Sequence, residues 1–126
     1  MKKGFTLIEL LAVILILGII ALIAIPAVTD VINDSRLGAE KATANNMINA
    51  AHSYTELCTL KDETCITDFT TLTDETLRST LNLNGDIPSI SDITTFSVVN
   101  GKVNLTYTKG SITCTATNSS VATCTM

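Results

Sequence analysis

Glu9 is the only ionisable side chain between Phe5 and Val28, in a run, FTLIELLAVILILGIIALIAIPAV, that is otherwise apolar apart from Thr6. Carrying a carboxylate into a bilayer costs about 3 kcal/mol at the centre of a helix, and less near the interface. A plain anchor gains nothing from it. The charge acquires a purpose if a cation meets it. Lys2 and Lys3 lie close in sequence but can snorkel towards water. A cut between Gly4 and Phe5 would instead create an α-ammonium about 6 Å from Glu9 along a helix axis. Within one helix that pairing is awkward because of side-chain direction. Between staggered neighbouring helices it is head-on, and a buried pair of this kind sets register more than it adds stability.

The second group able to do chemistry is Cys58, Cys65, Cys114 and Cys124. An even number behind an export-type segment favours disulfides in an oxidising compartment. The gaps within the two pairs are too wide for the tight Cys pairs of a zinc site, and His52 stands alone. Asp62, Glu63, Asp68 and Asp74 lack the spacing of a calcium loop and predict a solvated acidic surface. There is no nucleophile elbow, glycine-rich phosphate loop, metal triad or histidine-based acid–base pair. These residues predict pairing and cross-linking, not catalysis: no enzyme, no metal and no cofactor. The formal charge of −4 would become −6 on loss of the two lysines, before the new amine is counted. With no basic block left, DNA is the least supported of the candidate partners.

The elements must place the acid inside a membrane-length helix. Residues 5–28 would span about 36 Å, enough to cross a bilayer with some tilt. Lys2 and Lys3 then stay in the cytoplasm, and the C-terminal domain lies outside it. A cleaved secretory signal has a shorter apolar core and a better small-residue site than Ala24-Ile25-Pro26.

The stretch Lys3-Gly4-Phe5-Thr6-Leu7-Ile8-Glu9 resembles the processing site of type IV pilins and of pseudopilins. The likeness is close over about residues 3–28 and loose to about residue 55. It implies cleavage at Gly4–Phe5 by a membrane aspartyl peptidase, methylation of the new Phe5 amine, and Glu9 as the carboxylate that engages a neighbour's N-terminus in a filament core. It also implies an assembly platform and ATPase in the cytoplasmic membrane, a homopolymer as product, and a surface or periplasmic filament as destination. Glu9 favours a major subunit over a tip subunit. The alternatives are a pseudopilin of type II secretion, a competence pilin for DNA uptake and, outside the family, a membrane-anchored binding domain that never polymerises. Gly18 and Pro26 weaken the helix, and in the family the segment between such residues can lose helix on assembly.

Beyond Pro26 the pattern becomes amphipathic. Val28, Val31, Ile32 and Ser35 begin a stripe that Ala44, Met47, Ile48, Ala51 and Tyr54 continue, despite Gly38, and this face should pack against the C-terminal part of the chain. His52 is expected at or near the surface. Thr73 caps a short helix over residues 74–81, and Asn84-Gly85 with Pro88 then breaks the chain.

In FSVVNGKVNLTY, Asn100-Gly101 predicts a two-residue hairpin turn pairing Val99 with Lys102, Val98 with Val103 and Phe96 with Leu105. Phe96, Val98, Val103, Leu105 and Tyr107 then share a face. A second hairpin, residues 111–117 and 121–126 around Asn118-Ser119-Ser120, pairs Cys114 with Cys124, Ile112 with Met126 and Ala116 with Ala122. One register thus satisfies an apolar face and a bridge. Cys114–Cys124 is therefore preferred among three connectivities, and Cys58–Cys65 is then obtained by elimination. The expected fold class is α+β, a long helix packed through its second half on a four-stranded antiparallel sheet. The expected divisions are a leader at 1–4, a membrane and filament-core helix at 5–28, its amphipathic continuation at 29–57, a connecting loop at 58–92 and the sheet at 93–126.

Overall fold

The computed structural model describes residues 4–118 and 121–126; Lys2, Lys3 and the Ser119-Ser120 part of the expected turn lie outside the described residues. One α-helix, α1, runs from Leu7 to Leu60. After it come α2 (Asp74–Leu81) and four strands, β1 (Ile93–Val99), β2 (Lys102–Lys109), β3 (Ile112–Ala116) and β4 (Thr123–Thr125). Contacts divide the chain into two units, one up to Arg36 and the other Leu37–Met126.

In the first unit, α1 carries its apolar residues outward: Leu7, Leu11, Ile14, Leu17 and Ile20 are each more than half exposed. Among the described residues this apolar surface has nothing to bury against. α1 continues through Gly18 and Pro26. Proline cannot donate to the carbonyl four residues earlier, which here is that of Leu22. One turn on, the Thr29 hydroxyl donates to the Ile25 carbonyl at 2.9 Å.

In the second unit, α1 packs on an antiparallel sheet of order β1-β2-β3-β4. The buried face of the helix is Ala44, Met47, Ile48, Ala51 and Cys58, with Tyr54 half-buried beside it. Opposite lie Phe96, Leu105 and Tyr107, fully buried, with Phe69 and Leu77 from the connecting segment. The Phe69 ring stands 4.9 Å from Phe96 and 5.7 Å from Tyr54, centroid to centroid, so three aromatics join loop, strand and helix.

The first hairpin has the expected register: Val99 faces Lys102, Val98 faces Val103 and Phe96 faces Leu105. Asn100 and Gly101 both sit at positive φ, 54° and 77°, as a twist-matched two-residue turn requires. Between Ile93 and Thr95 the register shifts by a bulge, and this returns Ile93 to the buried face three residues from Phe96. The outer edge of β1 is partly covered: the Val98 N–H donates to the Thr67 carbonyl at 2.8 Å, and Asp68 bridges Ser97.

Thr73 caps α2, its hydroxyl accepting the Thr76 N–H, with Asp74 and Glu75 in the first turn. Asn82 closes α2 in the left-handed conformation. Asp68, one of the four carboxylates expected on the acidic surface, caps a 3₁₀ turn at Phe69–Thr71.

Two expectations need correction. The early part of the stripe does not pack: Val28, Val31 and Ile32 are exposed, and burial of α1 begins in earnest at Ala44. The second hairpin keeps Cys114 opposite Cys124, but β4 stops at Thr125, and Met126 is exposed, not paired with Ile112.

Candidate assembly site at the start of the helix

Gly4, Phe5 and Thr6 precede α1, and Phe5 is 92% exposed. Thr6 is the residue before the first helical position, so Glu9 is third in the helix, where a carboxylate can reach back. The Thr6 backbone N–H donates to Glu9 Oε2 at 2.9 Å, and the Glu9 N–H donates to Thr6 Oγ1 at 3.3 Å. This is a reciprocal capping box, satisfying two backbone donors that the first turn would otherwise leave bare. In hydrocarbon such satisfaction is worth more than in water, because no solvent competes for the donors.

The box explains how the apolar segment tolerates Glu9. The charge sits at the positive end of the helix macrodipole and carries an internal hydrogen bond. It also leaves capacity. A carboxylate has about four acceptor sites, and among the described residues the contact to Oε2 leaves Oε1 without a partner. Around it, Leu7, Ile8, Leu10, Leu11 and Ile14 form an open apolar surface. A cation at Glu9 would therefore meet little competition from water once another helix covered that surface. The arrangement can bind and orient a cation.

The remaining candidate residues serve the second unit. Cys58 is bonded to Cys65, and Cys114 to Cys124. The first bridge ties the last turn of α1 to the connecting segment, where the Ile66 N–H donates to the Tyr54 hydroxyl at 3.2 Å. The second pins β4 to β3, and the Ala122 N–H adds a 2.8 Å bond to Asn45 Oδ1 on α1. His52 is exposed, 3.8 Å from Glu56. No group of three or more potential metal ligands occurs among the described residues.

Two sets of partners escaped sequence reasoning. The Thr6-x-x-Glu9 box has a recognisable signature, Thr-x-x-Glu ahead of an apolar run. The other set has none. Tyr107, buried on β2, donates from its hydroxyl to the Glu40 carbonyl at 3.1 Å and to Glu40 Oε2 at 3.0 Å. Lys109 Nζ lies 3.5 Å from Glu40 Oε1 and 2.7 Å from Asp86 Oδ2. Burial, then the hydrogen bond to Glu40 and its charge, pushes the Tyr107 hydroxyl well above the usual tyrosine range. The bond to Asp86 holds the Lys109 ammonium above its ordinary value, and Lys109 in turn holds Asp86 low. This network joins α1, β2 and the segment after α2.

Similarity to known proteins falls on the same residues. The family described as "Prokaryotic N-terminal methylation motif" matches residues 1–25, the stretch that contains Gly4, Phe5 and Glu9. Over 53 residues, 40% of this chain, it is 49% identical to the type IV major alpha-pilin of Moraxella bovis. The same identity over the same length relates it to the fimbrial protein Q of that organism. Over this N-terminal stretch the chain is similar to type IV pilins. It spans about a third of the length of the curated relatives it matches, 33% and 34% respectively. No solved structure matches it. By length and composition, α1 is long and apolar enough to cross a membrane.

Proposed function

We propose that this chain is a prepilin whose mature form is the structural, self-assembling subunit of a type IV pilus-like filament. The observation that carries this reading is an apolar helix exposed on all sides, with one carboxylate, Glu9, at its first turn. A membrane peptidase cuts between Gly4 and Phe5 and methylates the Phe5 amine. Before assembly α1 holds the subunit in the cytoplasmic membrane, with residues from about 29 onward outside the cytoplasm. An assembly platform and its ATPase then draw the helix out of lipid, and neighbouring α1 segments replace it.

Glu9 sets the register. As a subunit enters, the methylated Phe5 ammonium of one chain meets the carboxylate of another, and the Thr6–Glu9 box holds that carboxylate at a fixed height on the helix. The pair lies in a low-dielectric core, so a missed contact leaves an unpaired buried charge and costs about 3–5 kcal/mol. A helix out of step is thereby rejected. Gly18 and Pro26 are both unfavourable in a helix, and the segment between them is where α1 extends as the filament forms. Asp62, Glu63, Asp68 and Asp74 then contribute to the acidic outer surface.

Intact mass of the protein extracted from cells that carry a prepilin peptidase tests the first step. The expected product lacks Met1–Gly4 and carries one methyl group on Phe5. An unprocessed N-terminus would identify a plain anchor and sink the filament reading.

A further inference from the structure

Two Asn-Gly pairs stand in the second unit, Asn84-Gly85 and Asn100-Gly101. Asn-Gly is the dipeptide in which a backbone nitrogen most easily attacks the preceding side-chain amide, because glycine has no Cβ to hinder it. The two pairs have equal intrinsic chemistry but different surroundings. From that difference we infer that Asn84 is a site of self-catalysed conversion to aspartate and isoaspartate, and that folding protects Asn100.

The reaction is balanced by solvent alone. The Gly85 backbone nitrogen loses its proton to water and attacks Asn84 Cγ, forming a C–N bond. The Cγ–Nδ2 bond breaks and ammonia leaves, giving a five-membered succinimide. One water then adds to either ring carbonyl. Opening on one side yields aspartate, and on the other isoaspartate, whose main chain passes through the side chain. No oxidant or reductant is involved.

Ring closure requires the peptide after the asparagine to rotate until the glycine nitrogen faces Cγ. Asn100 cannot do this without breaking the hairpin. It is held at φ 54° with Gly101 at φ 77°, and its flanks, Val99 and Lys102, are paired with each other. Asn84 has no such restraint. It lies between α2 and β1 in neither helix nor strand, and both it and Gly85 are exposed. Among the described residues neither its side-chain amide nor the Gly85 N–H makes a hydrogen bond, whereas the Gly85 carbonyl accepts from Arg78 Nη1 at 2.8 Å and from the Ile87 N–H at 3.2 Å. The glycine's far side is thus held while its nitrogen stays free to turn. A Cβ at Gly85 would have open space around it, so nothing crowds the attack.

The product changes the surface. Asn84, with Asp86, Asn46 and Thr43, lines a trough of about 290 Å³ between α1 and the segment after α2. Conversion places a second carboxylate two residues from Asp86, which pairs with Lys109. An aged subunit is therefore more acidic at this trough than a new one.

The test is a timed incubation of the full chain, folded in detergent in mildly alkaline buffer, then peptide mapping with isoaspartate detection. Asn84 should lose its amide about tenfold faster than Asn100, since freeing the turn must first break its flanking pair. In a reduced and denatured sample the two rates should converge. Equal or reversed rates in the folded chain overturn the inference. So does a difference that persists after denaturation, because the fold would then not be its cause.

Discussion

Thr6 and Glu9 hold each other across the first turn of α1, the Thr6 N–H on Glu9 Oε2 at 2.9 Å and the Glu9 N–H on Thr6 Oγ1 at 3.3 Å. The carboxylate that looked stranded in the sequence is already half satisfied by its own chain. In the filament proposed above, its remaining oxygen is what a neighbour would use. The box therefore separates two roles that a single substitution at Glu9 would remove together.

Thr6→Ala removes only one arm of the box. The first turn should fray, at a cost of about 0.5–2 kcal/mol, the usual range for loss of a capping hydroxyl. Hydrogen exchange in detergent micelles should show faster exchange at Glu9 and Leu10, whose N–H groups bond Thr6, and no change beyond Leu15. Unaltered protection at Glu9 would show that the threonine hydroxyl does not hold the helix start.

Asn45 bonds the Ala122 N–H at 2.8 Å and so fastens β4, a strand of three residues, to α1. Asn45→Ala leaves a buried donor unpaired, which costs about 1–3 kcal/mol. Exchange at residues 121–125 should accelerate more than exchange in β1 and β2. Equal acceleration throughout the sheet would mean that β4 is held by the Cys114–Cys124 bridge and not by Asn45.

Alkali should loosen the second unit through Tyr107 and Lys109. Both groups have folded values raised above the unfolded ones, about 10 for tyrosine and 10.4 for lysine. Above those values the unfolded chain holds fewer protons than the folded one, so stability falls as pH rises. It is fully present below about pH 10. Denaturant midpoints measured across the alkaline range should decline, and Tyr107→Phe should flatten the decline while lowering the neutral midpoint by the loss of its bonds to Glu40. At the acid end, Asp86 is held low by Lys109, so its contribution is lost as pH falls through its folded value. Since its side chain is 89% exposed, that loss should be slight. An alkaline profile identical in Tyr107→Phe and the parent would remove the tyrosine from this account.

Much of the second unit was legible because its signals are local. Asn100-Gly101 dictates a turn, the turn dictates the register, and the register puts Phe96, Val98, Val103, Leu105 and Tyr107 on one face. Thr73 ahead of Asp74 and Glu75 announced α2 in the same way. The Glu40–Tyr107 contact joins residues 67 positions apart, and no spacing rule reports such a distance. The exposed Val28, Val31 and Ile32 show a further limit. An amphipathic stripe says that a face will be covered, not whether the cover comes from the same chain. At the candidate site the charge at Glu9 was conspicuous, whereas the capping role of Thr6 required reading the same four residues as a helix start.

The most direct measurement is zero-length carbodiimide cross-linking of filaments built from a mixture of isotopically light and heavy subunits. The account predicts an amide joining the Phe5 nitrogen of one chain to the Glu9 carboxylate of another, seen as mixed light–heavy peptides. Filaments in which that amide forms only within single chains, or in which Glu9 stays unlinked while other carboxylates react, would contradict it.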